Sequence, residues 1–301
     1  MPATPARPFG SVLTAMVTPM KPDGTLDVDS AKALVEHLIT MGHDGIVVNG
    51  TTGESATLTS EESVQMVRLV VEAAAGRAHV VAGVGSNDTR HAVEMALQAT
   101  GAGANGLLLV SPYYNKPTQR GLVAHCLAVA GATHLPIMLY DIPGRTGIPF
   151  SSETILELAR HPSFVAVKDA KGDQWAGTKL MEATSLAWYS GSDEDNLAWF
   201  ALGASGCVSV VGHVAGSRYR AMVDAVDAGD LAVARAIHRE LVPAVEAIMT
   251  TSQGAIMAKA AMVEFGVIEH ATVRLPLVES PPEHLELLRD GLRRSGLLVR
   301  A

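Results

Sequence analysis

Cysteine is scarce in this 301-residue chain: Cys126 and Cys207 are the only two, which is too few for a disulfide framework. Such usage fits a reducing, cytoplasmic setting. The opening MPATPARPFG lacks the apolar core of a signal peptide, and no later apolar run reaches the roughly 18 residues of a spanning helix. Neither secretion nor membrane insertion is expected. Basic residues are outnumbered, 23 against 31 acidic, for a net charge of −8. That balance removes any general attraction for nucleic acid or anionic membrane. The eleven histidines form no H-E-x-x-H and no two-histidine–carboxylate cluster, so no metal is expected. Lysine is rare as well, with seven copies at positions 21, 32, 116, 168, 171, 179 and 259. Apolar residues are not rare: at 48%, against 18% charged, they supply a sizeable core and exclude a disordered chain.

Eight short, nearly continuous apolar runs recur along the chain, at 12–17, 45–49, 78–84, 106–111, 136–143, 164–170, 186–192 and 206–212. Continuous rather than alternating runs predict parallel strands covered on both faces. Helical signals fill the intervals. Thr59 and Glu62 have capping-box spacing ahead of a stretch that ends at Gly76, and Asp88 precedes another helical stretch. Eight such units predict an α/β fold, a closed (β/α)₈ TIM barrel. An open doubly wound sheet is the rival, but no G-x-G-x-x-G turn follows the first run. Residues 1–230 are expected to form the catalytic barrel and 231–301 a C-terminal helical extension packed upon it.

In such a barrel, chemistry belongs at the C-terminal ends of strands. After the second run, Gly50-Thr51-Thr52-Gly53-Glu54-Ser55 suits a tight turn whose N–H groups face an anion such as a carboxylate; an unliganded turn reads equally well. Lys168 follows four apolar residues in the sixth run. Desolvation there favours the neutral amine, the form that attacks a carbonyl, whereas a snorkelling lysine or one paired with Asp169 is the plainer alternative. Tyr140 opens the Tyr-Asp-Ile-Pro segment at the end of the fifth run, in a position to relay protons. Arg145, on a Pro-Gly turn, offers a fork for a second carboxylate. Tyr113 and Tyr114, adjacent on a Pro-bracketed loop, point different ways, so that one can meet a partner subunit. The turns at Gly191-Ser192-Asp193 and Gly203–Gly206 read as close backbone packing ahead of phosphate cradles, and Cys207 as a small buried apolar residue.

In this order, Gly-Thr-Thr-Gly-Glu-Ser, Ser-Pro-Tyr-Tyr-Asn-Lys-Pro, Tyr-Asp-Ile-Pro-Gly-Arg-Thr-Gly and Val-Lys-Asp-Ala resemble the dihydrodipicolinate synthase family of pyruvate-dependent class I aldolases, from about Leu13 through the helical tail. The resemblance implies that Lys168 forms a Schiff base with pyruvate and that Tyr140 shuttles protons. It implies that Thr51 links Tyr140 to a second tyrosine, Tyr114, donated across a dimer interface. Thr52 and the adjacent backbone match the pyruvate-carboxylate site, Arg145 the arginine meeting the carboxylate of aspartate semialdehyde, and Gly191 and Val208 the backbone lining of the pocket. No cofactor is implied, since the imine is itself the electron sink, and a homo-oligomer, a dimer of dimers, is. Ser192 stands where relatives often carry aspartate. Ser55, Ala56, Asn87 and Tyr113 fit the lysine site of feedback-sensitive relatives, while Ser60, Ser63 and His91 depart from it. The alternative function is a related aldolase, of the N-acetylneuraminate lyase or 2-keto-3-deoxy sugar-acid type, against which Arg145 argues. A non-catalytic metabolite-sensing barrel is the third reading.

Overall fold

The structure, a computed structural model, describes residues 5–298. The first four and last three residues of the two expected segments lie outside it. Every predicted run contains a strand: β1 (Val12–Ala15), β2 (Gly45–Val48), β3 (His79–Gly83), β4 (Gly106–Val110), β5 (Ile137–Asp141), β6 (Phe164–Asp169), β7 (Ala187–Ser190) and β8 (Gly206–Ser209). All pair in parallel, and β8 closes on β1 through Val12–Cys207 and Thr14–Ser209. The barrel is closed, and the open-sheet rival is excluded.

Helices α1 (Val28–Thr40), α2 (Ser60–Ala74), α3 (Thr89–Gly101) and α4 (Gln119–Ala130) connect the first five strands. A short α5 (Pro143–Thr146) and α6 (Ser152–Leu158) lead to β6; α7 (Gln174–Ala183) and α8 (Asn196–Ala201) complete the connections, and α9 (Gly212–Asp227) follows β8. Their starts are written locally. Thr59 and Glu62 form the expected capping box, and Asp27, Asp88 and Thr118 each accept an amide of the first turn. Beyond the barrel lie α10 (Leu231–Met249), α11 (Gly254–Glu264) and α12 (Pro282–Arg294).

Two apolar clusters divide the work. The larger lies between strands and helices, and it includes Ile237, Leu241 and Ile248 of α10, Met257 of α11 and Leu292 of α12. The last three helices thus share the barrel's outer core. The smaller cluster fills the barrel itself with Phe9, Leu13, Val47, Val81, Leu108, Met138, Ala166, Tyr189 and Val208, so the interior is packed rather than hollow. Gly206, at the start of β8, lets the backbone of β1 approach: a Cβ there would stand 2.0 Å from the Ser11 carbonyl oxygen.

Candidate active site

Lys168 reaches the interior because of a local irregularity in β6. Phe164 faces the outer core, yet Ala166, two residues on, belongs to the inner cluster. A regular strand would keep both on one face. The register between β5 and β6 slips between Ile137 and Met138, which pair with Phe164 and Ala166. The extra residue reverses the facing of all that follows. Val167 therefore packs outside, and Lys168 turns in beside Tyr140, its register partner on β5.

The Lys168 ammonium position, Nζ, lies 4.1 Å from the centroid of the Tyr140 ring, and both side chains are buried. Burial pulls the Lys168 amine from its ordinary 10.5 down to about 8; Asp193 opposes that shift and Arg145 assists it. The Tyr140 phenol is pushed up to about 12 by burial, with Arg145 acting the other way. It is a proton donor at neutral pH. Asp169 does not pair with Lys168: its carboxylate accepts the Lys171 and Gly172 amides at 2.8 and 3.2 Å. Among the described residues, the lysine–carboxylate ion pair belongs to Lys259 and Glu54 instead.

The turn after β2 delivers the two threonines. Its amides at Gly53, Glu54 and Ser55 are turned back onto the Thr51 and Gly50 carbonyls, so they do not face an anion, contrary to the simplest sequence expectation. Among the described residues, the amides of Thr51 and Thr52 have no protein acceptor, which leaves these two for a carboxylate. Gly83 at the end of β3 permits the close approach, since a Cβ there would meet the Asn49 carbonyl oxygen at 2.2 Å.

Thr51, Tyr140 and Arg145 line one cavity of about 300 Å³, together with Ser55, Ser63, His91 and Tyr113. Lys168 is not among the lining residues; its amine sits over the ring of Tyr140, which is. Thr52 is buried within its turn, and Val208 sits in the barrel interior with Tyr140. Gly191 holds the end of β7 against β6, its amide donating to the Asp169 carbonyl at 2.7 Å. These three do not line that cavity. Neither does Tyr114. It is 88% exposed at a φ of 73°, with its amide on the Thr146 carbonyl, so one chain does not bring it to Thr51. Tyr113 turns to the cavity and Tyr114 away from it, as adjacent aromatics on a kinked loop were expected to do.

The chain matches the model of the dihydrodipicolinate synthetase family over residues 8–294. It belongs to that family. It is 54% identical to the 4-hydroxy-tetrahydrodipicolinate synthase of Kineococcus radiotolerans over 98% of this chain and 96% of that one. It is 51% identical to the 4-hydroxy-tetrahydrodipicolinate synthase 2 of Streptomyces coelicolor, with 98% of each covered. Among solved structures, the dihydrodipicolinate synthase of Cyanidioschyzon merolae with lysine bound superposes with a TM-score of 0.94 at 41% identity, over 97% of this chain and all of that one.

Two features escaped the sequence reading. Asp193, fully inside after β7, accepts the Ser209 hydroxyl, the Val210 and Val211 amides at 2.9 and 3.1 Å, and the Asn196 amide at 3.3 Å. It fastens the end of β8 beside Lys168; the available signal was the first of three successive acidic residues, Asp193-Glu194-Asp195, after an apolar run. Lys259, on α11, is buried more completely than Lys168, at 0% against 5% exposed. Scarcity of lysine therefore does not by itself select the nucleophile. What separates the two is the partner: among the described residues, Lys259 has a carboxylate and Lys168 has none.

Proposed function

We propose that this chain condenses pyruvate with L-aspartate-4-semialdehyde to give 4-hydroxy-tetrahydrodipicolinate, in the route to diaminopimelate and lysine. The observation that carries this reading is the buried Lys168 amine, without a carboxylate partner among the described residues and drawn toward its neutral form against the Tyr140 ring. The amine attacks the pyruvate carbonyl and water leaves, giving an imine. The imine draws electrons from the methyl carbon, which loses a proton and attacks the aldehyde carbon. The semialdehyde's own amine then displaces Lys168 and closes the ring. Tyr140 donates and recovers protons, with Thr51 and a neighbouring subunit's Tyr114 completing the relay. Thr52 and the two free amides take the pyruvate carboxylate, and Arg145 takes that of the semialdehyde. Gly191, bonded to the Asp169 carbonyl, and Val208, packed with Tyr140, support the Lys168 end of the site rather than lining the cavity. No step needs a cofactor, because the imine is the electron sink.

A homo-oligomer, arranged as a dimer of dimers, belongs to the same proposal, since exposed Tyr114 must come from a second copy to meet Thr51. Residues 1–230 carry the chemistry and 231–301 serve as helical support. The identities above and Arg145 favour this reading over the sugar-acid aldolases. Among the described residues no helix is long and apolar enough to cross a membrane.

Incubation with pyruvate and borohydride should fix an adduct on Lys168, whereas a chain left unmodified overturns the proposal. Sedimentation of a fully active monomer would refute the shared Tyr114.

A further inference from the structure

Lys259 and Glu54 join the helical extension to the turn that carries Thr51 and Thr52. Lys259 Nζ donates to Glu54 Oε1 at 2.5 Å and to the Thr272 carbonyl at 2.6 Å, and the two side chains are 0% and 2% exposed. The other Glu54 oxygen accepts the Arg274 amide at 2.9 Å. The Arg274 guanidinium in turn binds both oxygens of Glu62 and the carbonyls of Thr57 and Gly24. Every polar group of the Glu54 carboxylate is thus spent on the extension. Glu54 itself holds a φ of 57°, in the left-handed region that disfavours a side chain. Such a conformation persists where its surroundings over-determine it. The pair does so here: buried ions held by each other and by the Thr272 carbonyl and Arg274 amide have few alternative positions.

We propose that Glu54 and Lys259 are positioning residues for the pyruvate-carboxylate end of the site, holding the Gly50–Ser55 turn so that the Thr51 and Thr52 amides face the substrate. This rests on the functional reading above. Neither side chain touches the cavity, and they act through the turn. The extension is then a part of the catalytic frame rather than an appendage. Arg145, on the separate α5 turn, is outside its influence.

The test compares Lys259→Met, Glu54→Gln and the double variant with wild type, by pyruvate trapping and steady-state kinetics. Each single variant should raise KM for pyruvate about tenfold or more, the scale of a misplaced binding group. KM for the semialdehyde should stay within about twofold, which separates lost pyruvate positioning from general damage. The double variant removes the uncompensated charge. It should recover thermal stability but not the pyruvate KM. Recovery of both, or folded single variants with unchanged pyruvate KM, would overturn the proposal. Should the single variants fail to fold, hydrogen exchange in wild type decides: the trapped adduct must slow the amides of residues 50–55 and 272–274 together, and slowing of 50–55 alone refutes the link. A wild-type chain that pyruvate does not trap refutes the functional reading instead.

Discussion

Methionine in place of Lys168 keeps the apolar stem and deletes the amine, so it separates what the buried lysine contributes to chemistry from what it costs the fold. Burial takes the amine from 10.5 to about 8. Each pKa unit is worth about 1.4 kcal/mol, so the charged form is disfavoured by on the order of 3 kcal/mol in the folded chain. The sign follows from linkage. Below pH 8 the unfolded and folded chains both carry the proton, and the folded chain bears the whole penalty. Between about 8 and 10.5 the folded chain sheds it first, and above 10.5 the penalty is gone. Lys168→Met should therefore be inert toward pyruvate yet more stable at pH 7, by up to about 3 kcal/mol, with the advantage fading through that window. Urea unfolding at neutral and strongly alkaline pH measures it. In wild type, cyanoborohydride trapping of pyruvate should rise with pH, with its midpoint near 8. At pH 7 roughly a tenth of the amine is neutral, some 300-fold more than an unshifted lysine would offer. An inflection near 10.5, together with a Lys168→Met variant no more stable than wild type, would show that burial does not lower the Lys168 amine.

Arg145→Ala should abolish turnover of the semialdehyde at ordinary concentrations while leaving pyruvate trapping possible, and it should move the trapping profile to higher pH because Arg145 helps to lower Lys168; intact semialdehyde turnover would remove the main reason for preferring the synthase reading. Acid should unfold the chain through His43 and His213, both held near 4 by burial. His43 donates to the Leu38 carbonyl and accepts from Thr14, and His213 donates to the Val210 carbonyl and accepts the Val17 amide, so each is fixed neutral. Their folded values lie below the usual 6.5, so this stability is complete above 6.5 and drains as pH falls toward 4, by on the order of 3 kcal/mol each; a flat unfolding midpoint across that window would count against it. Gly206→Ala drives a methyl into the Ser11 carbonyl and should cost about 2 kcal/mol or more, read as an earlier urea midpoint.

The fold was legible because its signals are local. Continuous apolar runs mark doubly covered parallel strands, and Thr59, Glu62 and Asp88 mark helix starts by side-chain bonds to amides a few residues away. Lys168, Tyr140, Thr51 and Arg145 were legible because they end apolar runs or sit on the turns that follow. The same continuity hid which way Lys168 faces: with apolar residues on both sides there is no alternation to read. Only the register slip between β5 and β6 turned it inward. Nor does proximity along the chain announce Lys259 and Glu54, which are 205 residues apart and meet only when α11 packs over the turn after β2. Local signals suffice for the eight strands, their helices and the residue types at the strand ends, since caps and hydrophobic runs act over a few residues. Tertiary structure decided which lysine stays unpaired and which receives a carboxylate, because pKa and charge pairing depend on what closure of the barrel brings within reach.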